Sequence, residues 1–264
     1  MLLDLLSLQT CIDHIRKWMS ENFLKLNDDK TEFMLIGNNC HTSKVHIPYI
    51  SIGDMQISPS PQLRNLGVIF DPHLSMEHHV TAICKAACIS LRNIGRIRNH
   101  IDNDTAKTMV HAFVTSKLDV GNSLLYGISK TQINRLQRIQ NIAARLISRI
   151  PSSSHITPVL RELHWLPIER RIRFKLLLYV YKTLSFLEPV YLRELLTSYS
   201  PGRQGLRSSS QSLLKEHVAK NKWGSRSFVF VAAKLWNNLP LSLRSATSLN
   251  IFKEKLKTHL FLDL

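Results

Sequence analysis

The feature that most constrains the fold is a helical spacing of apolar residues, which begins near Ser75 and continues almost to the end of the chain. The apolar residues recur at three- and four-residue intervals, the period of one helix face, and in the first helix of about 24 residues they are Val80, Ile83, Ala87, Leu91 and Ile94. The same spacing predicts helices from about Thr105 to Leu118 and from about Thr131 to Arg149. Further helices are predicted at 157–164, 168–187, 190–197, 227–238 and 248–262.

The first 74 residues follow a different pattern. Helical spacing over residues 5–25 predicts one amphipathic helix, which Asn27 and its neighbours end with turn-forming side chains. Short apolar runs and the turn residues Gly53-Asp54 then predict strands. These strands are Phe33–Ile36, Val45–Ile52, Met55–Ile57 and Leu66–Phe70. The sequence therefore predicts an α+β fold that is predominantly α-helical, with a small antiparallel β region near residues 33–70.

Two changes of pattern divide the chain into expected domains. The β pattern gives way to helices at residue 75, and Pro151-Ser-Ser-Ser154 has the composition of a linker. We therefore expect three parts, which are residues 1–74, a helical domain at 75–150 and a helical C-terminal region at 151–264.

Net charge narrows the class of partner. The chain has 35 Lys and Arg against 19 Asp and Glu, a formal charge of +16. Residues 1–36 carry −2 and residues 37–75 balance, whereas 76–150, 151–200 and 201–264 carry +7, +3 and +8. Such an excess indicates a polyanionic partner, most often nucleic acid and less often an anionic membrane. We expect the binding surface after residue 75.

Two basic stripes lie on the predicted helices. Lys85, Arg92 and Arg96 follow one line of the first helix. On the third helix, four arginines lie within roughly 80° of one another, and they are Arg135, Arg138, Arg145 and Arg149. Cations on a rigid face suit phosphate contacts, although such stripes also occur as plain solvated surface. We expect these side chains to bind nucleic acid.

The cysteines and apolar runs predict an intracellular protein, nuclear or cytoplasmic, that is not secreted. Cys11, Cys40, Cys84 and Cys88 lack the spacing of a disulfide framework, which favours a reducing compartment. Asp4 interrupts the apolar opening and no basic segment precedes it, so a signal peptide is not expected. The longest clean apolar run elsewhere, Leu176–Tyr181, is far shorter than the ~20 residues that span a bilayer, so we expect no membrane partner.

Five segments together resemble one protein family. In chain order they are WMSENFLKLNDDKTEFMLIG, NLGVIFDPHLSMEHHV, LDVGNSLLYGISKTQINRLQRIQNIAARLI, HITPVLRELHWLPIERRIRFKLL and FVFVAAKLWNNLPLSLR. The series resembles the C-terminal half of the reverse transcriptase of LINE-type, non-long-terminal-repeat retrotransposons, the class that includes jockey-like elements. The resemblance implies that residues 1–74 are the end of the palm, 75–150 the thumb and 151–264 a helical tail.

The resemblance also implies roles for individual residues. Lys30 matches a family lysine near the phosphates of the incoming nucleotide, where a cation can stabilise the departing pyrophosphate. Leu66 and Gly67 match the primer-grip strand, and the helices after residue 75 match a thumb that holds the template–primer duplex of RNA and DNA by its phosphates. Two simpler interpretations stay open, since Lys30 could be a solvated turn lysine and Gly67 an ordinary strand glycine.

One departure from the family bears on enzymology. Its metal-binding aspartates lie upstream of the first matching segment, in part on a Phe- or Tyr-Ala-Asp-Asp turn, whereas only 17 residues precede Trp18 and they contain no Asp-Asp pair. Asp28-Asp29 occupies a turn that varies in the family. Two-metal phosphoryl transfer needs converging carboxylates. We therefore expect a truncated reverse transcriptase that is not an enzyme as it stands, needs no cofactor and retains nucleic-acid binding. Mg²⁺ is expected only for an intact parent.

Alternatives from other classes remain. The chain could be a recruited helical module that binds nucleic acid or protein without enzymatic activity. A metal site is not expected, because Cys84 and Cys88, although four residues apart on a helix, lack a second pair of ligands and are interpreted as core residues. Trp165 and Trp236 are predicted to be packing anchors because their neighbours are apolar.

Overall fold

The chain forms two compact units, Met1–Thr81 and Ala82–Leu264. The computed structural model describes residues 2–38, 45, 47–53, 55–186, 189–200 and 211–262, with side chains from residue 6 onward. Helices dominate and two small antiparallel sheets accompany them, so the predicted α+β, predominantly helical class is confirmed. The division into parts at residues 75 and 151 stays a prediction.

In its described residues, the first unit consists of one long helix, two hairpins and the start of a second helix. Helix α1 is Leu2–Glu21, and a 3₁₀ turn follows at Asp28–Lys30. Strand β1, Ile50–Ile52, pairs antiparallel with β2, Met55–Ile57, and β3, Leu63–Asn65, pairs antiparallel with β4, Val68–Phe70. Gly53 has φ +61°, and a Cβ there would collide with the guanidinium of Arg16. The positive φ favours glycine at this turn, whereas the clash with the flexible end of Arg16 would cost little to relieve.

The second unit is helical in its described residues. Helix α2, Glu77–Ile97, contains the boundary between the units. The remaining helices are α3 (Asn103–Val110), α4 (Ser116–Asp119), α5 (Lys130–Ser148), α6 (Thr157–Glu162), α7 (Ile168–Phe186), α8 (Val190–Arg193), α9 (Phe228–Asn237), α10 (Leu241–Arg244) and α11 (Leu249–Leu262). Within the described residues, no helix is both long enough and apolar enough to span a bilayer.

One hydrophobic core cluster of this unit joins α7 to the C-terminal helices. Tyr181 of α7 stacks on Phe252 of α11 at 4.2 Å between ring centroids, and its hydroxyl donates to Ala246 O at 2.9 Å. Trp236 of α9 is 2% exposed and packs in the same cluster. Aromatic rings that bury their faces and bond their polar atoms stabilise a core strongly. The predicted role of Trp236 as a packing anchor is confirmed.

Several predicted strands are wrong or shorter. Phe33–Ile36 forms no strand; Phe33 makes a single parallel bridge to Pro59, and because Pro59 has no N–H the ladder cannot extend there. Val45–Ile52 reduces to Ile50–Ile52, with His46 outside the described residues and Pro48 within the lost part. Leu66 and Gly67 form a hairpin turn, not the start of a strand. Short strands that pair in isolated two-stranded hairpins are only marginally stable, so apolar runs alone overestimate the length of strands.

The predicted helices are present, with changes at their ends. The one predicted from Thr105 to Leu118 is interrupted by a π-helical turn, His111–Thr115, between α3 and α4. The helix predicted at 190–197 ends at Arg193, and that at 157–164 ends at Glu162, where His164 follows with φ +55°. Helix α10 was not predicted, because its four residues are too few to show a period.

Candidate nucleic-acid interface

Helices α2 and α5 lie side by side and run in the same direction. A Cβ at Gly95 of α2 would be 3.7 Å from Leu146 Cδ1 of α5, so the Leu146 side chain reaches the α2 backbone there. Arg98, just beyond α2, donates from Nε to Leu146 O at 2.8 Å. Near the other end, Arg135 lies close enough to the Cys84 thiol to affect its pKa. Cys84 is near Arg135, and eleven residues further along each helix Gly95 is near Leu146. Because the residue numbers increase together, the helices are parallel.

This arrangement directs the basic stripes to one side. We view each helix down its axis from the N-terminus, with ~100° per residue. Lys85, Arg92 and Arg96 then lie about 80–120° clockwise from the line of α2 that faces α5. On α5, Arg138 and Arg145 lie about 60–90° anticlockwise from the line that faces α2. Because the two helices are parallel and face each other, a clockwise offset on α2 and an anticlockwise offset on α5 turn these side chains toward the same side of the pair. We call the surface formed by the seven predicted residues the cationic face, and they are Lys85, Arg92, Arg96, Arg135, Arg138, Arg145 and Arg149.

The cationic face is accessible and carries uncompensated charge. Arg135 and Arg145 are half-buried, and the other members are exposed. Within the part of the chain that the structure describes, no member forms an ion pair with a carboxylate. Glu77, the first residue of α2, is the one acidic residue in the two helices. A positive surface without internal counter-ions attracts polyanions.

Two arginines of α5 and Arg149, which follows it, are held in place by neutral acceptors. Arg135 Nη1 donates to Gln132 Oε1 at 2.9 Å, and Arg145 Nη2 donates to Ser154 O at 3.1 Å. Arg149 Nη2 donates to Arg98 O at 3.0 Å. Each guanidinium has five N–H donors, so these bonds orient the group and leave donors over. Orientation in advance reduces the entropy cost of contacting a phosphate.

Arg98 is a structural residue that the sequence reasoning missed. Its side chain is 6% exposed. Besides the bond to Leu146 O, it donates to Ile147 O at 2.7 Å and Ile101 O at 3.0 Å, and it also contacts Asn103 Oδ1. The carbonyl groups of Leu146 and Ile147 lie in the last turn of α5, where the helix supplies no N–H donor for them. The available signal was position, because Arg98 continues the buried line that runs through Leu91 and Ile94.

Lys30 lies in a small turn of the first unit. The Asn27 side chain accepts from the Lys30 backbone N–H at 3.2 Å, and the lysine is exposed. Asp28 pairs with Arg16 at 3.5 Å. The structure thus places Lys30 on a surface turn at which a phosphate could approach, and its role stays a prediction.

The other predicted pair, Leu66 and Gly67, occupies the tip of the β3–β4 hairpin. Both residues have positive φ, +46° and +86°, and Leu66 is 95% exposed. Two consecutive positive φ angles between paired strands are typical of a type I′ turn, which leucine fits poorly. An exposed leucine in a strained turn is unusual, and the primer-grip role of the pair stays a prediction.

The structure gives no sign of a metal centre in the described residues. No group of three or more His, Cys, Asp or Glu there is placed to hold a metal ion. Cys84 is half-buried, and burial raises the pKa of its thiol although Arg135 lowers it. Cys88 is exposed, so its interpretation as a core residue is wrong; it projects from the edge of the α2 face that meets α5. Trp165 is 5% exposed, which confirms it as a packing residue.

Comparisons with known proteins give one distant relationship. No protein-family model and no solved structure matches the chain. Over 171 residues the chain is 25% identical to a Drosophila melanogaster protein described as "Probable RNA-directed DNA polymerase from transposon BS". The alignment covers 62% of this chain and 18% of that protein, so the chain spans under a fifth of its relative. The similarity supports a distant relationship to a transposon RNA-directed DNA polymerase.

Proposed function

We propose that the chain is a nucleic-acid-binding portion of a LINE-type, jockey-like reverse transcriptase, which grips a template–primer duplex by its phosphates through the cationic face. In this proposal residues 1–74 correspond to the end of the palm and the helices after residue 75 to the thumb. The similarity to a transposon polymerase supports the ancestry. The observation that carries the binding role is that two parallel helices direct their unpaired cations to one side.

The cationic face suits a duplex without regard to base sequence. Phosphate contacts need cations on a rigid support and carry no sequence information by themselves. A packed helix pair supplies that support, because α2 and α5 are fixed to each other by the buried Arg98 and by Gly95 against Leu146. Affinity should therefore fall steeply with salt and depend weakly on sequence.

These 264 residues are not expected to polymerise nucleotides. Primer extension needs carboxylates that hold two Mg²⁺ ions at the reacting phosphate. The adjacent pair Asp28-Asp29 does not supply them, since Asp28 is paired with Arg16. Lys30, Leu66 and Gly67 would act only in a longer polymerase that provides those carboxylates.

The test measures binding and extension with the same protein. Fluorescence anisotropy with an RNA–DNA hybrid, duplex RNA and duplex DNA is recorded over a series of salt concentrations. Replacing Arg92, Arg96 and Arg138 by Ala is expected to weaken binding by about tenfold or more and to reduce the log–log salt slope by about 2 to 3, since each phosphate contact contributes ~0.9. Primer extension with Mg²⁺ is expected to be absent.

A matched control removes the same charge elsewhere. Lys182, Arg193 and Lys220 are exposed and lie outside α2 and α5. Their replacement by Ala also lowers net charge by three, yet it should change the salt slope by less than half as much. Equal losses in the two variants would mean that only overall charge matters, and nucleotide incorporation would contradict the non-catalytic part.

The recruited-module alternative makes the same binding prediction. It is favoured by the second unit having its own core around Tyr181, Trp236 and Phe252, which suits a module that acts alone. Reading the genomic DNA in frame upstream of Met1 separates the two histories. An Asp-Asp polymerase motif there supports the reverse-transcriptase origin, and a promoter with a clean first exon supports the module.

A further inference from the structure

A cleft of about 440 Å³ in the second unit lies apart from the residues of the cationic face. Its walls come from the π-helical turn, the end of α4 and the segment after it, the segment between α6 and α7, and helices α7 and α11. This volume is in the range of small-molecule sites. The π-helical turn places His111 at the rim, and such turns occur often at functional sites.

Asn122, one of the lining residues, is held in place by a hydrogen bond to Asp119. Asn122 is 6% exposed, and its Nδ2 donates to Asp119 Oδ1 at 3.2 Å. Because a carboxylate only accepts hydrogen bonds, this contact fixes which end of the amide is oxygen. Asn122 Oδ1 is buried and, among the described residues, receives no hydrogen bond. Because this oxygen has almost no accessible surface, a ligand in the cleft does not contact it, and Asn122 forms a fixed part of the wall.

The charge of the cleft is positive. Arg171 grips Asp119 through Nε and Nη2 at 2.7 and 2.6 Å, so the one carboxylate in the lining is already neutralised. Lys175 and Lys257 also line the cleft, and neither forms an ion pair with a carboxylate in the described part of the chain. Two lysines beside a neutralised carboxylate favour an anionic ligand. Each lysine carries a compact ammonium charge on a flexible side chain, which suits a phosphate group.

The remaining lining is apolar and aromatic. Leu163, Phe174 and Leu178 contribute apolar surface, and Trp165 holds the His111 ring edge-on at 5.5 Å between centroids. Burial lowers the pKa of His111, and Arg171 lowers it further while Asp119 opposes the shift. The imidazole is therefore neutral at pH 7, so the rim offers an uncharged ring. A flat heteroaromatic group suits such a lining.

We propose that this cleft binds a nucleotide, with its phosphate on Lys175 and Lys257 and its base against the apolar wall. A nucleotide joins an anionic group to a flat ring in this way. The nucleotide is either a free mononucleotide or the phosphorylated end of a strand. The proposal does not depend on duplex binding by the cationic face, since none of that face lines the cleft.

The test is isothermal titration of the full chain with four ligands. They are AMP, adenosine, inorganic phosphate and a 5′-phosphorylated tetranucleotide. AMP is expected to bind at least tenfold more tightly than adenosine or phosphate. Replacing Lys175 and Lys257 by Ala is expected to weaken AMP binding tenfold or more. The matched control replaces Lys182 and Lys255, which are exposed on the same two helices outside the cleft, and it should bind AMP as the native chain does.

Each outcome decides the proposal. Tighter binding of AMP than of the tetranucleotide supports a free nucleotide, and the reverse order supports a strand end. No binding of either, phosphate binding as tight as AMP binding, or equal loss in the cleft and control variants overturns the proposal. Replacing Arg92, Arg96 and Arg138 should leave AMP affinity unchanged, so failure of the cleft and failure of the cationic face are separable. Thermal melting verifies that every variant is folded.

Discussion

At the scale of single residues, two buried charged side chains hold loop and helix ends together, and neither was predicted. Arg98 bonds the last carbonyls of α5, and Asp71 collects donors ahead of α2. Sequence reasoning assigns arginine and aspartate to surfaces because burial of a charge is costly. The compensating partners are backbone groups distant along the chain or in irregular segments, which no periodic pattern reveals.

Arg98 is expected to be important for stability. Replacing it by Met keeps much of the apolar stem but removes the donors to Leu146 O and Ile147 O. Leaving buried carbonyls without donors should lower the free energy of unfolding by about 2–4 kcal/mol. Urea denaturation measures this loss. Arg96→Ala, two residues away and exposed, is the control and should change the value by less than about 0.5 kcal/mol. Equal effects would contradict the assigned role.

Asp71 gives a prediction about pH. Burial alone would raise the pKa of its carboxyl, but donors from Ser75, Met76 and His73 lower it below the ordinary value of 3.8. The Met76 N–H bonds Asp71 Oδ2 at 2.8 Å. Because the folded pKa is below the unfolded one, this stabilisation is complete above the unfolded pKa and is lost as pH falls through the folded pKa.

The variant Asp71→Asn tests this link. At pH 7 the amide cannot accept all of these bonds, so hydrogen-exchange protection of the Ser75 and Met76 amides should fall by about 1–3 kcal/mol. Between about pH 5 and pH 2 the native chain should lose protection at these amides, while the variant should change little. A variant with the same acid sensitivity as the native chain would show that another group is responsible.

At the scale of elements, the long helices could be predicted and the short or interrupted elements could not. Helix α5 spans Lys130–Ser148 against a prediction of Thr131–Arg149, because nineteen residues of regular period define a helix face well. The strand prediction at Phe33–Ile36 was wrong because its bridge partner is Pro59. The basic stripes could be placed on helices, but the parallel neighbourhood of α2 and α5 depends on tertiary contacts. The cleft residues lie on several elements and were not found.

The β3–β4 hairpin should tolerate a better turn residue. Leu66→Asn places a side chain that accepts positive φ at the first position of a type I′ turn. The hairpin amides should gain about 1 kcal/mol of hydrogen-exchange protection. Gly67→Ala is the matched variant with the opposite expectation. It should lower hydrogen-exchange protection of the hairpin amides, since the φ of Gly67 is +86°. If Leu66→Asn weakens binding to a recessed primer–template but not to a blunt duplex, the primer-grip expectation for Leu66 and Gly67 gains support.

At the scale of the whole molecule, the charge follows the division into units. Met1–Thr81 carries 6 Lys and Arg against 9 Asp and Glu, whereas Ala82–Leu264 carries 29 against 10. The net charges are −3 and +19. A field of this size raises association rates with polyanions at low salt. The binding role proposed for the chain therefore belongs to the second unit, which also contains the cationic face and the cleft.

The most direct test of the account is arginine footprinting by a dicarbonyl reagent and mass spectrometry, with and without an RNA–DNA duplex. Arg92, Arg96 and Arg138 should be protected by the duplex, and the protection should fade as salt is raised. Arg64 and Arg193, which are exposed outside α2 and α5, serve as internal controls and should stay reactive. Protection of the controls with no change at the three interface arginines would contradict the claim that α2 and α5 hold the duplex.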